Sequence, residues 1–103
     1  MEKMTDEAIM ESLQSLPEWS RQDEKWMVRK FRFASFKDAM TFANRVAIVA
    51  EAMNHHPMIA IDFKMVTIRL TSWKAQGISQ LDVDQAGQLD RIYEQEQDRT
   101  AEQ

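Results

Sequence analysis

The sequence predicts an α+β fold, a four-stranded antiparallel sheet with helices packed on one face. Three observations predict it. Three stretches carry apolar residues at three-and-four spacing, each behind a residue able to cap a helix: Thr5, Ser35 and Ser79. Between them lie segments rich in aromatic and β-branched residues, two of which alternate apolar with polar. These segments come in pairs joined by short turns, which favours antiparallel neighbours and leaves the helices to cover one face. The element order reads α-β-β-α-β-β-α.

Thr5 caps the first helix, with Asp6 and Glu7 favourably placed in its first turn. Ile9, Leu13 and Leu16 form its buried stripe, and Pro17 ends it. Trp19 begins a short extended piece, residues 21–25 turn, and residues 26–33 read as a strand. Ser35 caps the second helix, with Asp38 three residues on in a weak form of the capping box. Phe36, Ala39, Met40, Ala43, Val46, Ala47, Ala50 and Met53 follow one helical face, and Phe42, Ile48 and Val49 widen it. A helix apolar on most sides is usually covered on most sides; one cover here is the sheet, and a second subunit is a candidate for the other. Phe31, Phe33, Phe36 and Phe42 are read as core, and the methionines as core filler.

Pro57 disfavours helical geometry at His56, so the second helix stops by Asn54 or His55. Ile59, Ile61 and Phe63 give one strand its buried face, and Val66, Ile68 and Leu70 give the next strand its own, with a turn near residues 62–64. Gly77 marks a turn. Ser79 caps the last helix, with Asp82 three residues later and Val83, Ala86, Leu89 and Tyr93 inward. From Glu94 the chain is polar and expected to fray.

A length of 103 residues suggests one domain, spanning residues 1–103. A domain of this size buries only about two-thirds of its unfolded surface, so contacts within a homo-oligomer would help it. No apolar run approaches the roughly 18 residues of a membrane span, and Met1-Glu2-Lys3-Met4 lacks a signal peptide's apolar stretch. Cysteine is absent, which removes disulfides, thiolate zinc sites and thiol nucleophiles together and fits a cytoplasmic setting. A net charge of -4 argues against nucleic acid, since phosphate neutralisation needs a basic surface. Arg29, Lys30 and Arg32 read as one solvated strand face.

His55 and His56 are the chain's 2 histidines, adjacent and followed at once by Pro57. Histidine both gives and takes a proton near neutrality. The pair sits at a helix-to-strand junction, where backbone is exposed enough to meet a ligand. Glu51 lies four residues before His55, which on a helix puts its carboxylate beside that imidazole. This reads equally as an orienting contact or as an ordinary helix-end salt bridge. Consecutive extended side chains point apart, so the two rings do not suit one metal ion. The chain has neither a Gly-x-Ser-x-Gly elbow nor a glycine-rich phosphate loop. Trp73 follows the last strand in phase with Thr67, Arg69 and Thr71, opposite the buried residues. It and Trp19 read as ligand platforms or subunit contacts, or as simple edge packing.

Glu51-Ala-Met-Asn-His55-His56-Pro57, followed by Phe63, Trp73 and Asp82, resembles the signature of the pterin-4a-carbinolamine dehydratases. Arg45-Val-Ala, Gly77-Ile-Ser and Trp19 also look like that family, so the resemblance covers nearly the whole chain. It implies a four-stranded antiparallel sheet with helices on one side. It also implies dimers formed through sheet edges, and tetramers formed through the long helix. The implied reaction dehydrates 4a-hydroxytetrahydrobiopterin, or a related pterin, to the quinonoid dihydropterin, with no cofactor. That carbinolamine arises when phenylalanine hydroxylase uses its pterin.

On this resemblance His55 is a main acid/base residue and His56 binds substrate and handles protons, two roles that could be exchanged. Glu51 would orient His55. Phe63 and Trp19 would shape the pocket, beside Pro57. Asp82 either supports the site or only caps the last helix. Many members carry a third histidine where this chain has Trp73, and an aspartate where it has Asn54. Tryptophan can stack or donate one hydrogen bond but is no base near neutrality. Relatives also serve as protein-binding co-regulators or assembly modules, or act on another pterin such as a molybdopterin-related compound.

Overall fold

Thr5 Oγ1 accepts from the Ala8 N–H at 3.1 Å, and Ser35 Oγ from the Asp38 N–H at 3.0 Å. Two of the expected caps therefore satisfy backbone donors that a helix start leaves orphaned. The computed structural model describes residues 1–101. Its elements are α1 (Asp6–Gln14), β1 (Ser20–Arg21), β2 (Met27–Arg32), α2 (Phe36–Met53), β3 (Met58–Asp62), β4 (Met65–Leu70), a 3-10 turn (Trp73–Ala75) and α3 (Gln80–Ala101). The element order and the four antiparallel strands are as predicted, and the strands lie side by side in the order β1-β2-β4-β3. No helix among the described residues is long and apolar enough to cross a membrane.

The central strands supply the core. Met27 and Phe31 of β2 and Val66, Ile68 and Leu70 of β4 are fully buried with Phe42 and Val46 of α2 and Leu89 of α3. The rings of Phe31 and Phe42 pack with centroids 4.7 Å apart. α1 ends two residues earlier than Leu16, because the Ser15 and Leu16 N–H groups turn back to Ser12 O and Leu13 O. Leu16 is buried from the turn instead.

Several side chains depart from the sequence expectation. Ile59 and Ile61 do not form a buried face: every residue of β3 is exposed. β3 is an edge strand paired only with β4, beyond the strands from which the core draws its residues. Phe63 is no strand residue either; it occupies the β3–β4 turn in the left-handed region, with φ 53°. Phe36 lies at the start of α2, half exposed rather than in the core. Met1, Met10 and Met58 are largely exposed, so the methionines are not uniformly filler. Arg29 shares the inward phase of Met27 and Phe31, not the solvated face of Lys30 and Arg32; its guanidinium pairs with Asp90 of α3 at 2.7 Å.

Through Ala101 the polar end of α3 is helical rather than frayed, and the rest of the tail expected to fray, residues 102–103, lies outside the described residues. Arg45 of α2 reaches Glu96 at 2.7 Å and Gln95 at 2.9 Å, and Arg99 meets Glu96 at 2.6 Å. Tyr93 Oη donates to the Arg32 carbonyl at 2.8 Å. Burial pushes the Glu96 carboxyl up, but hydrogen bonds from Arg45 and Arg99, with their charges, outweigh it and hold the group below its ordinary value. A carboxyl with a depressed folded value contributes stability above its unfolded value and loses it as pH falls through the folded one. Glu96→Gln is expected to lower stability at neutral pH by about 1 kcal/mol. It should also flatten the decline below pH 4.5, the group's ordinary value. Urea denaturation of both proteins across that range checks this; parallel curves would separate Glu96 from acid stability.

Candidate active site

The backbone at the end of α2 determines where the two imidazoles go. Asn54 takes left-handed geometry, φ 50° and ψ 45°, which asparagine tolerates better than most residues. The Asn54 N–H then donates to Glu51 O at 3.2 Å and the His55 N–H to Ala50 O at 3.0 Å, the Schellman pattern of helix termination. Pro57 keeps the preceding residue, His56, out of helical geometry. His55 and His56 are therefore the first residues past the cap, and their rings part.

His55 turns inward. Its side chain is 10% exposed, and Nε2 lies 2.6 Å from Asp82 Oδ1. His56 turns outward, 57% exposed, with Nε2 at 2.5 Å from Glu51 Oε2. The expected Glu51–His55 contact is thus replaced by a Glu51–His56 pair. The left-handed turn at Asn54 breaks the helical phase on which the four-residue spacing depended, and Glu51 meets the residue five positions on.

Asp82 both caps and supports. It has no solvent exposure. Oδ2 accepts from the Ser79 N–H at 2.9 Å, completing the cap of α3, and from Ser72 Oγ at 2.8 Å. Ser72 Oγ is also 2.6 Å from Ser79 Oγ. Oδ1 remains for His55. A buried carboxylate engaged by three donors is a rigid anchor for the ring it holds.

His55 and His56 border one cleft of about 470 Å³, with Asn54, Ser72, Trp73 and Lys74 among its walls. Trp73 is 76% exposed and is braced edge-to-face by Trp26, centroids 5.7 Å apart. Its ring is an apolar wall beside the imidazoles, set by the 3-10 turn rather than by strand phase. Asn54 acts through its backbone turn and also lines the cleft.

Trp19 and Phe63 do not join this cleft. Trp19 is buried against Phe31, its Nε1 donating to Asp90 Oδ1 at 2.8 Å. Phe63 is exposed in the β3–β4 turn, beside Arg32 and Phe33. Ser72, Trp26 and Lys74 are site neighbours that the sequence reading missed. Ser79-x-x-Asp82 was visible as a cap, but no spacing connected it to Ser72. Among the described residues, no group of three or more histidine, cysteine or carboxylate side chains is arranged to hold a metal ion.

Residues 2–92 match the family model described as pterin 4 alpha carbinolamine dehydratase. The chain is 41% identical over 90 residues to a protein of Picosynechococcus sp. provisionally named a pterin-4-alpha-carbinolamine dehydratase, covering 87% of this chain and 97% of that one. A similarly named protein of Roseiflexus sp. is 42% identical over 91 residues, covering 87% and 96% of the two chains. The crystal structure of a transcriptional coactivator/pterin dehydratase from Brucella melitensis superposes with a TM-score of 0.84 at 26% identity, covering 88% of this chain and 98% of that one. A pterin dehydratase-like protein identified as a RuBisCO assembly factor in the alpha-carboxysome shares the fold, with a TM-score of 0.65 at 20% identity over 74% of this chain and 89% of that one.

Proposed function

Because the chain belongs to the pterin 4 alpha carbinolamine dehydratase family, we propose that it dehydrates a 4a-hydroxytetrahydropterin in the cleft at His55 and His56. In this reaction the C4a–O bond breaks as the hydroxyl takes up a proton and leaves as water. The N5 lone pair closes an N5=C4a double bond, and N5 gives up its proton. The product is the quinonoid dihydropterin. One proton is delivered and one removed, work for neutral-pH acid/base groups without a covalent intermediate.

The observation that carries this reading is the His55–Asp82 pair at the cleft wall. With Nε2–H directed at Asp82, the Nδ1 lone pair of His55 is the basic position offered to the ligand. His56, more exposed and beside Glu51, binds substrate and exchanges the second proton. Trp73, held by Trp26, packs against the bicyclic ring of the pterin; Asn54 and Lys74 complete the polar rim. Trp19 and Phe63 lie outside the cleft and take no part in the proton transfers, while Pro57 acts only by restricting the backbone at His56. The natural substrate on this reading is the tetrahydrobiopterin carbinolamine made by phenylalanine hydroxylase, in a cytoplasmic recycling pathway.

The test is a stopped-flow assay on carbinolamine generated in place by a pterin-dependent hydroxylase. Purified protein should accelerate formation of the quinonoid product well above the spontaneous rate; no acceleration at micromolar enzyme rejects the reading.

A second reading has its own observation. Phe36, Met40 and Ile48 of α2 are exposed apolar side chains, and β3 is an open edge, on a fold shared with a coactivator and an assembly factor. These surfaces suit self-association into a homodimer or homotetramer, or docking to another protein. A stoichiometric partner lost on Ile48→Glu, from a protein without turnover, would favour the binding module.

A further inference from the structure

We propose that Gln85 is a positioning residue for His55, acting through the peptide that joins the two histidines. The inference rests on the dehydratase reading above. Gln85 lies three residues after Asp82, so both side chains leave the same face of α3. It is completely buried. Its Nε2 donates to the His55 carbonyl oxygen at 2.8 Å, with Met53 Sδ at 3.7 Å. Its Oε1 has no hydrogen-bond partner among the described residues.

A buried acceptor without a partner is unfavourable, and a leucine of similar volume would fill the space without one. Packing alone therefore does not account for an amide here. Its one strong bond goes to His55. The His55 N–H is tied to Ala50 O, the ring to Asp82, and the carbonyl to Gln85. The last bond fixes ψ at His55 and, with it, the angle between the two imidazoles. α3 thus grips His55 twice, by its ring and by its backbone. Proton transfer requires reacting atoms placed to within a fraction of an ångström, so a loosened junction slows the chemical step more than it weakens binding.

The test compares wild type with Gln85→Met, close in length and shape but without the amide, and with Gln85→Leu. Three quantities are read: melting temperature, kcat and KM for carbinolamine dehydration, and the imidazole ¹⁵N resonances. The expected variants remain folded and melt close to the wild-type temperature, because orphaning the His55 carbonyl is offset by removing the unpartnered Gln85 Oε1. Their kcat falls about tenfold with KM within about twofold, and the His55 nitrogens shift toward mixed tautomers. Unchanged kcat and unchanged His55 resonances in a folded variant would overturn the proposal. So would unfolding of both variants, since the amide would then serve the fold alone. If wild type itself shows no dehydration, the functional reading fails separately. The His55 resonances then decide alone: shifted signals in Gln85→Met uphold the positioning role, and unchanged ones end it.

Discussion

His55→Ala is expected to lower carbinolamine dehydration by about 10²-fold or more, the scale for losing a general acid/base. The imidazole is the group in the cleft wall anchored by a buried carboxylate, so no neighbour replaces it without rearrangement. Truncation leaves Asp82 Oδ1 without its partner, which costs about 1–3 kcal/mol of stability. The protein should nevertheless remain folded, because Ser72 and the Ser79 N–H still engage Oδ2. Stopped-flow rates on folded variant settle the point, and unchanged turnover removes His55 from the mechanism. His56→Ala should have a smaller effect, about tenfold, because its partner Glu51 is itself exposed and fixes the ring weakly. The reverse order of effects would exchange the two roles.

Asp82→Asn should lower kcat by about 10² to 10³-fold with little change in size or packing. The Ser79 N–H can only donate, so the carboxamide must present its oxygen there. Its NH₂ group then faces His55 Nε2. That nitrogen becomes an acceptor, and the ring proton moves to Nδ1, where the cleft needs a base. A carboxylate-to-amide change that reverses an imidazole tautomer is severe in the serine proteases for the same reason. Imidazole ¹⁵N spectra and kcat should change together. A variant with wild-type kcat would mean that Asp82 only caps α3.

Most of the fold was legible because each helix announces its start. Thr5 and Ser35 cap as their spacing suggested, and Pro57 limits α2. The alternation in residues 65–70 gave β4 its phase correctly. The same reasoning failed for Ile59 and Ile61, because alternation reveals which residues share a face but not whether a helix covers it. Arg29 looked like a surface cation because its salt bridge to Asp90 spans 61 residues of sequence. The polar end of α3 looked free because its partner, Arg45, lies on another helix.

The site divided in the same way. The adjacency of His55 and His56 was visible, and so was the signature ending in Asp82. The pairing was not. A single left-handed residue, Asn54, rotates the histidines out of helical phase and gives Glu51 to His56. Ser72 and Gln85 had no local pattern to mark them; each matters through a contact that only the packed α3 creates.

The most direct measurement is a titration of ¹⁵N-histidine-labelled protein with a stable dihydropterin, followed by the imidazole resonances. Both His55 and His56 should shift in saturable fashion at one common affinity, and the indole signal of Trp73 should move with them. Binding that leaves both imidazoles unperturbed would place the pterin elsewhere and contradict catalysis at this cleft.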